Sequence, residues 1–180
     1  MRGKKIAFLF PGQGSQVVGM GKALSEKYGI AASTFEEANE VLGFDLRAIC
    51  FEGPEETLQL TENLQPALLT TSVAVWRSLQ KETSIEPAFV AGHSLGEYSA
   101  LVAAGALAFE DAVRLTRIRG QAMQEAVPVG KGAMSAILGL SPKKVTELCL
   151  EVSSEEESVV PANLNSSIQT VVSGHAVAVE

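Results

Sequence analysis

Residues 91–107, AGHSLGEYSALVAAGAL, contain the feature that decides the fold, a serine enclosed by two glycines. The short apolar run Ala88–Ala91 predicts a buried strand, and Leu95–Leu107, rich in Ala and Leu, predicts a helix. GHSLG at 92–96 fits the pattern G-x-S-x-G, in which a sharp strand-to-helix turn exposes a serine hydroxyl above a sheet. We therefore expect Ser94 to be a nucleophile and the glycines to give room where side chains would collide with the neighbouring strand and helix.

The chain on both sides of this turn alternates between strands and helices. Ile6–Phe10 predicts a buried parallel strand closed by Pro-Gly, and Thr34–Leu42 and Gln65–Gln80 carry helical spacing. Pro66 would lie near the first turn of its helix, where the missing N–H costs nothing. Phe109–Val127 predicts a further helix. This βαβ alternation predicts an α/β fold with a parallel sheet.

The pattern changes after residue 127. It predicts a strand, a helix, two antiparallel strands and a last helix, as follows: Ala133–Gly139, a helix from Pro142 to about Val152 capped by Ser141, Val159–Asn163, Gln169–Ser173, and a helix capped by Ser173. A β-α-β-β-α order that lacks its closing strand is an incomplete split βαβ unit. We therefore predict a hydrolase-like large subdomain at 1–127 and a truncated, ferredoxin-like small subdomain at 128–180.

Composition narrows the class of protein. Fourteen basic and twenty-one acidic residues give a formal charge of -7, which argues against a partner such as nucleic acid, whose binding depends on neutralising phosphates. Cys50 and Cys149 lie far apart and form no CxxC pair, so we expect neither disulfides nor a zinc site, and a reducing cytoplasm. No stretch is long enough to cross a membrane.

A serine nucleophile needs a base, and the two histidines are poor candidates. His93 is adjacent to Ser94, but neighbouring side chains at a turn diverge. Asp111 and His175 complete the chain order Ser, Asp, His of a hydrolase. Each nevertheless has a structural explanation, because Asp111 lies in the first turn of a helix and His175 follows a predicted cap. These residues therefore provide a nucleophile without a convincing base.

A glycine-rich loop, FPGQGSQ at 10–16, follows the first predicted strand. Open α/β sheets bind ligands at this end of their strands, and the glycines allow the backbone to approach a bound group closely. Gln13 is therefore a candidate second oxyanion donor, although a simple strand-end turn explains the loop equally well. The loop does not bind phosphate in the Walker manner, because Met20 stands where that motif needs lysine.

Arg119 is the candidate for recognising an acidic substrate. A planar guanidinium can hold a carboxylate through two charge-assisted hydrogen bonds. The alternative is a solvated helix face formed by Arg114, Arg117 and Arg119. Arg114 and Arg117 are three residues apart and fit that alternative, whereas Arg119 directly precedes Gly120 and lies off their stripe.

The ordered motifs of this sequence resemble the malonyl-CoA:acyl carrier protein transacylase family. The resemblance extends from Lys5 to the last residue through FPGQGSQ, NLQPALLTTSVA, AGHSLGEYSALVAAGAL, RLTRIRGQAMQEAVP and GAMSAILGL. It implies that Ser94 carries the malonyl ester, that Arg119 pairs with the malonyl carboxylate and that the backbone amides of Gln13 and Leu95 form the oxyanion hole. It makes His93 the elbow histidine, which is not the family's base. NSSIQ at 165–169 departs from relatives that often have Pro-Gly between Ser and Gln.

The same resemblance implies the reaction and its partners. Malonyl-CoA would acylate the serine, and the phosphopantetheine thiol of acyl carrier protein would take the malonyl group, without a cofactor or metal. The carrier is acidic in this family, so a basic docking patch is expected, with Arg117, Lys143 and Lys144 as weak candidates. An α/β serine hydrolase and a catalytically inactive acyl- or carrier-binding module are the alternatives.

The resemblance also places the base outside these residues. The family's base histidine lies in a later serine-histidine motif, and a further active-site glutamine lies later still; neither motif occurs in this sequence. The missing closing strand supports the same expectation, so we expect this sequence to be the N-terminal part of a longer enzyme. Residues 1–180 alone are then expected to fold poorly and to transfer malonyl about a hundredfold more slowly than a chain with the base.

Overall fold

A computed structural model describes residues 5–126 and 130–180. These residues form two compact units, which divide between Gln124 and Glu125. The predicted boundary between 127 and 128 and the predicted helix end at Val127 lie outside the described residues.

The first unit combines a parallel strand pair with helices. Its elements are β1 Ala7–Phe10, α1 Lys22–Lys27, α2 Gly29–Leu42, α3 Leu46–Glu52, α4 Glu55–Gln59, α5 Thr61–Glu82, β2 Phe89–Gly92, α6 Gly96–Ala103 and α7 Phe109–Ala126. Strands β1 and β2 pair in parallel from Ala7 opposite Phe89 to Phe10 opposite Gly92. The predicted α/β fold with a parallel sheet is therefore confirmed, and the paired strands end together beside the GHSLG turn.

The apolar side chains of α2, α3, α5 and α7 form the core of this unit. Phe35, Leu46, Leu69 and Val113 are among the side chains with no exposed surface. The sequence places them at helical spacing, and their burial removes apolar surface from water, which is the main stabilising contribution to folding. The core therefore fixes α5 and α7 against each other, and these are the helices that carry Gln65 and Arg119.

Several helices of the first unit differ from their predicted bounds; α2, for example, begins at Gly29 and not at Thr34. α5 begins at Thr61, so Pro66 lies in its second turn and not near its first residues, where it was expected. α6 ends at Ala103, four residues earlier than predicted. Gly105 has a φ of 70°, a left-handed conformation that ends helices because it directs the chain away from the helix axis.

The second unit is a three-stranded antiparallel sheet with two helices. Its elements are β3 Gly132–Leu138, α8 Pro142–Val152, β4 Val159–Ser166, β5 Gln169–His175 and α9 Ala176–Val179, and the strands lie in the order β3-β5-β4. The predicted start of α8 is confirmed: the Ser141 hydroxyl accepts a hydrogen bond from the Lys144 N–H, and Pro142 is the first helical residue.

The predicted cap at Ser173 is wrong. Ser173 lies inside β5, opposite Met134 of β3 and Val160 of β4. Pairing on both sides continues past Ser173 and keeps the backbone extended, so the strand ends at His175 and α9 follows directly. Within 5–126 and 130–180, no helix is both long enough and apolar enough to span a bilayer.

Candidate active site

The turn between β2 and α6 has the backbone of a nucleophile elbow. β2 ends at Gly92, α6 begins at Gly96, and Ser94 lies between them with a φ of 52°. Ser94 is the only residue other than glycine with a positive φ among those that the structure describes. A side chain in this region is strained, and such strain is found mostly where function requires it.

The two glycines of this turn are required by close packing. A Cβ atom on Gly92 would overlap the backbone carbonyl of Gly96. A Cβ atom on Gly96 would overlap the carbonyl of Phe10 and lie 2.9 Å from the Pro11 oxygen. The expectation that side chains here would collide is confirmed, and the first turn of α6 lies directly against the end of β1.

The FPGQGSQ loop contacts the same turn. The His93 N–H donates to the Phe10 carbonyl at 3.3 Å, and a Cβ atom on Gly12 would lie 2.6 Å from the His93 oxygen. The loop is ordered further by Gln16, whose Oε1 accepts from the Gly14 N–H at 2.7 Å. Gln13 therefore lies between Gly12, which packs on the elbow, and Gly14, whose N–H is hydrogen-bonded to Gln16.

Two backbone N–H groups near the elbow are candidate donors to a ligand. Within the described part of the chain, the N–H groups of Leu95 and Gln13 donate to no backbone or side-chain acceptor. Leu95 is buried and is the residue that caps the start of α6, where helix N–H groups and the helix dipole favour negative charge. Gln13 is exposed at the end of β1. Both N–H groups remain able to bind an anionic oxygen.

The side chain of Arg119 contacts Ser94. Its Nη2 donates to Ser94 Oγ at 2.9 Å, and its Nη1 donates to Gln65 Oε1 at 2.8 Å. Its guanidinium carbon lies 5.9 Å from the centre of the Tyr98 ring. A close approach of α7 to α5 brings these groups together, because a Cβ atom on Gly120 would lie only 2.6 Å from Glu62 Cα.

Among the residues that the structure describes, no acidic side chain balances the charge of Arg119. Four other arginines each have a carboxylate within 4.0 Å, in the pairs Arg47–Glu36, Arg77–Glu37, Arg114–Asp111 and Arg117–Glu62. Over 5–126 and 130–180, no such pair includes Arg119, although its side chain is partly buried. The solvated-face alternative is wrong for this residue, and its charge is available to an acidic ligand.

Arg117 shows what a structural arginine looks like on the same helix. It donates to Asn63 Oδ1 at 2.6 Å, pairs with Glu62 Oε2 at 3.1 Å and lies over the Phe44 ring at 5.1 Å. These contacts hold it inside the unit and neutralise its charge. Arg117 is therefore not a free cation for a docking patch. Lys144 is also paired, with Glu147 at 3.4 Å, whereas Lys143 is exposed.

The two residues of the hydrolase alternative each have a local partner. Asp111 is exposed and pairs with Arg114 at 3.1 Å, one turn along the same helix. His175 Nδ1 accepts from the Ser158 N–H at 3.0 Å within the second unit. His93 is exposed, and its carbonyl accepts from the Gly96 N–H at 2.9 Å. These contacts support the structural explanations that the sequence offered for Asp111 and His175.

Two other kinds of catalytic group, a bound metal ion and the Cys50 thiol, receive little support. Among the described residues, no three His, Cys, Asp or Glu side chains lie together in a way that could hold a metal ion. Burial raises the pKa of the Cys50 thiol to about 12, so at neutral pH this thiol is protonated and not nucleophilic. Ser94 is thus the nucleophile candidate that the geometry favours.

Sequence reasoning overlooked Gln65. Its side chain has no exposed surface, and it bonds Arg119 on one side and Met123 on the other, with Nε2 donating to Sδ at 3.1 Å. The available signal was a polar residue within the apolar stretch from Leu64 to Leu69, since most buried polar groups in proteins are hydrogen-bonded.

Comparison with known proteins agrees with this geometry. A family model described as "Acyl transferase domain" matches residues 7–180. A malonyl CoA-acyl carrier protein transacylase of Bacillus subtilis is 56% identical over 98% of this chain and 55% of its own length. The chain spans about half the length of the curated relatives it matches.

Solved structures match equally well. The malonyl CoA-acyl carrier protein transacylase of Coxiella burnetii has a TM-score of 0.94 at 50% identity, over 97% of this chain and 55% of that one. A malonyl-transacylase in complex with its type II PKS acyl-carrier protein has a TM-score of 0.93 at 48% identity, over 98% of this chain and 57% of that one. With the elbow, the glycine packing and the match over residues 7–180 together, the chain belongs to the acyl transferase domain family.

Proposed function

We propose that the protein transfers a malonyl group from malonyl-CoA to the phosphopantetheine thiol of acyl carrier protein, in the cytoplasm, as a step of fatty-acid biosynthesis. One observation carries the proposal: Ser94 lies on a strained turn with the unbalanced guanidinium of Arg119 2.9 Å from its hydroxyl oxygen. The transacylase names of relatives about half identical to this chain support the same activity.

The chemistry proceeds in two balanced steps. Ser94 Oγ attacks the thioester carbon of malonyl-CoA, an O–C bond forms, the C–S bond breaks, and the serine proton leaves with the CoA thiol. The carrier's thiol then attacks the serine ester, an S–C bond forms, the O–C bond breaks, and the proton returns to Ser94. No electrons are transferred overall, so the serine needs no redox group.

In this proposal, the position of Arg119 accounts for the selection of a malonyl group. In a malonyl ester of Ser94, a carbonyl carbon and a methylene carbon separate Oγ from the free carboxylate. This short acyl chain can fold back so that its carboxylate contacts a guanidinium beside Oγ. Two charge-assisted bonds to a carboxylate discriminate strongly against acetyl, which has no charged group there.

The remaining roles follow from the donors at the elbow. We assign the oxyanion hole to the N–H groups of Leu95 and Gln13, which have no internal acceptor over 5–126 and 130–180. His93 supports the turn through its backbone, and by resemblance it is not the base. By resemblance, the base that accepts the Ser94 proton is a histidine of the family's later serine-histidine motif.

The acyl acceptor is a carrier protein in this proposal. One structural relative is a malonyl-transacylase in complex with its acyl-carrier protein, at 48% identity to this chain. For the fold, we propose that the first unit is the hydrolase-like large subdomain and that the second is a ferredoxin-like subdomain, which the antiparallel order β3-β5-β4 supports.

Intact-mass spectrometry and peptide mapping of the full-length protein test the proposal. After mixing with malonyl-CoA, we expect one malonyl group on the peptide that contains Ser94, and its loss on adding phosphopantetheinylated carrier protein. Ser94→Ala should not be acylated at this site. Free malonate produced with turnover would indicate a hydrolase, an unmodified protein would indicate a binding module, and either result would contradict the proposal.

A further inference from the structure

Gln65 is a buried polar side chain to which the proposed reaction gives no direct part. It lies in α5 and has no exposed surface. Its amide makes two hydrogen bonds, both to α7: Oε1 accepts from Arg119 Nη1 at 2.8 Å, and Nε2 donates to Met123 Sδ at 3.1 Å. Arg119 and Met123 are four residues apart and therefore share one helix face, so the two bonds fix the amide in one orientation.

This orientation has an electrostatic consequence. The amide oxygen faces the guanidinium, whereas the reversed amide would place N–H groups against Arg119 Nη1 and leave that nitrogen without this acceptor. A neutral acceptor holds the arginine in place but does not neutralise its charge. Arg117, by contrast, is held by both a neutral amide and a carboxylate, on Asn63 and Glu62.

We propose that Gln65 is a positioning residue for acyl selectivity: its amide oxygen holds the Arg119 guanidinium beside Ser94 Oγ and leaves the positive charge for the substrate's carboxylate. This inference rests on the proposed malonyl transfer and adds a requirement to it. The residue at position 65 must accept a hydrogen bond and must also be uncharged. Gln65 acts on the acyl group only through Arg119.

The Gln65→Glu variant of the full-length protein tests this requirement, because glutamate has nearly the same shape and retains the acceptor. Its carboxylate would pair with Arg119 and repel that of the substrate. We expect kcat/KM for acylation of Ser94 by malonyl-CoA to fall at least about tenfold, since like charges brought together out of water are strongly unfavourable. Acylation by acetyl-CoA should stay within about threefold, because acetyl carries no charge to repel.

A second variant and a matched control separate positioning from folding. Gln65→Met removes the amide oxygen that accepts from Arg119 while keeping the length of the side chain. It should raise KM for malonyl-CoA by a larger factor than the factor by which it changes kcat for acetyl-CoA. Asn63→Asp makes the same amide-to-carboxylate change two residues away, beside Arg117, and should leave the malonyl-to-acetyl ratio unchanged.

Three outcomes are distinguishable. A malonyl-to-acetyl ratio that is unchanged in Gln65→Glu, whether both rates persist or both fall equally, would overturn the positioning role. A ratio that falls equally in Asn63→Asp would also overturn it, because the effect would then not depend on Arg119. If Arg119→Ala itself leaves the ratio unchanged, the proposed malonyl selectivity fails, whatever the Gln65 variants show.

Discussion

At the scale of single residues, Ser94 is held in a conformation that its own side chain disfavours. Its φ of 52° lies in the left-handed region, which costs an L-residue about 1–2 kcal/mol. The strain is retained because the turn directs Oγ to the Arg119 guanidinium, 2.9 Å away. Stability and reactivity are therefore opposed at this residue.

A pair of substitutions at this residue measures that opposition. Ser94→Gly relieves the strained φ and Ser94→Ala retains it, so the glycine variant should have a free energy of unfolding about 1 kcal/mol higher than the alanine variant. Neither variant has a hydroxyl to acylate. Chemical denaturation of the full-length variants gives the difference, and an alanine variant as stable as the glycine variant would contradict strain at this turn.

At the scale of elements, the site depends on how closely α6 approaches the ends of β1 and β2. Gly92 and Gly96 lie in backbone contact, and Gly96 also contacts the carbonyl of Phe10. No side chain fits in these gaps, so the position of the first turn of α6 follows from its glycines. This packing therefore also determines the direction in which the Leu95 N–H points.

Gly92→Ala should therefore be far more disruptive than its size suggests. The added methyl group would overlap the Gly96 carbonyl, a backbone group that cannot rotate away, and we expect a loss of about 3 kcal/mol or more in the free energy of unfolding. Gly29→Ala is the matched control, because Gly29 begins α2 and no atom of the described residues outside its own helix lies within 4 Å of where a Cβ would be.

The control substitution should leave stability unchanged or slightly higher, since alanine is a better helix former than glycine. Thermal and denaturant unfolding of both variants provide the comparison. Equal stability of Gly92→Ala and the unsubstituted protein would contradict the close packing at the elbow.

At the scale of the whole molecule, local patterns predicted much of the fold and part of the site. The parallel pairing of β1 with β2 and the elbow were predictable because apolar runs, Pro-Gly and G-x-S-x-G are local signals. The end of β5 was not, because Ser173 is a good cap by type and only pairing with β3 and β4 keeps it in a strand. Tertiary pairing overrode a local preference there.

The arrangement around Arg119 was beyond local reasoning. Arg119 donates hydrogen bonds to Ser94, which is 25 residues away in the sequence, and to Gln65, which is 54 residues away. Those contacts depend on the approach of α7 to α5 at Gly120, which no spacing in the sequence reveals. The same packing turns Arg117 toward Glu62, so two arginines two positions apart have different roles.

The central claim is that Ser94 and Arg119 together select and carry a malonyl group, and competition between two thioesters tests it most directly. The full-length protein and its Arg119→Ala and Arg117→Ala variants are each offered malonyl-CoA and acetyl-CoA together, and the acyl group on the Ser94 peptide is identified by mass. Removing one partner of a sequestered charge pair costs about 2–5 kcal/mol, so Arg119→Ala should lose at least about thirtyfold of the preference for malonyl. Arg117→Ala should keep that preference, because its guanidinium is paired with Glu62. An unchanged preference in Arg119→Ala, or an equal loss in both variants, would contradict the claim.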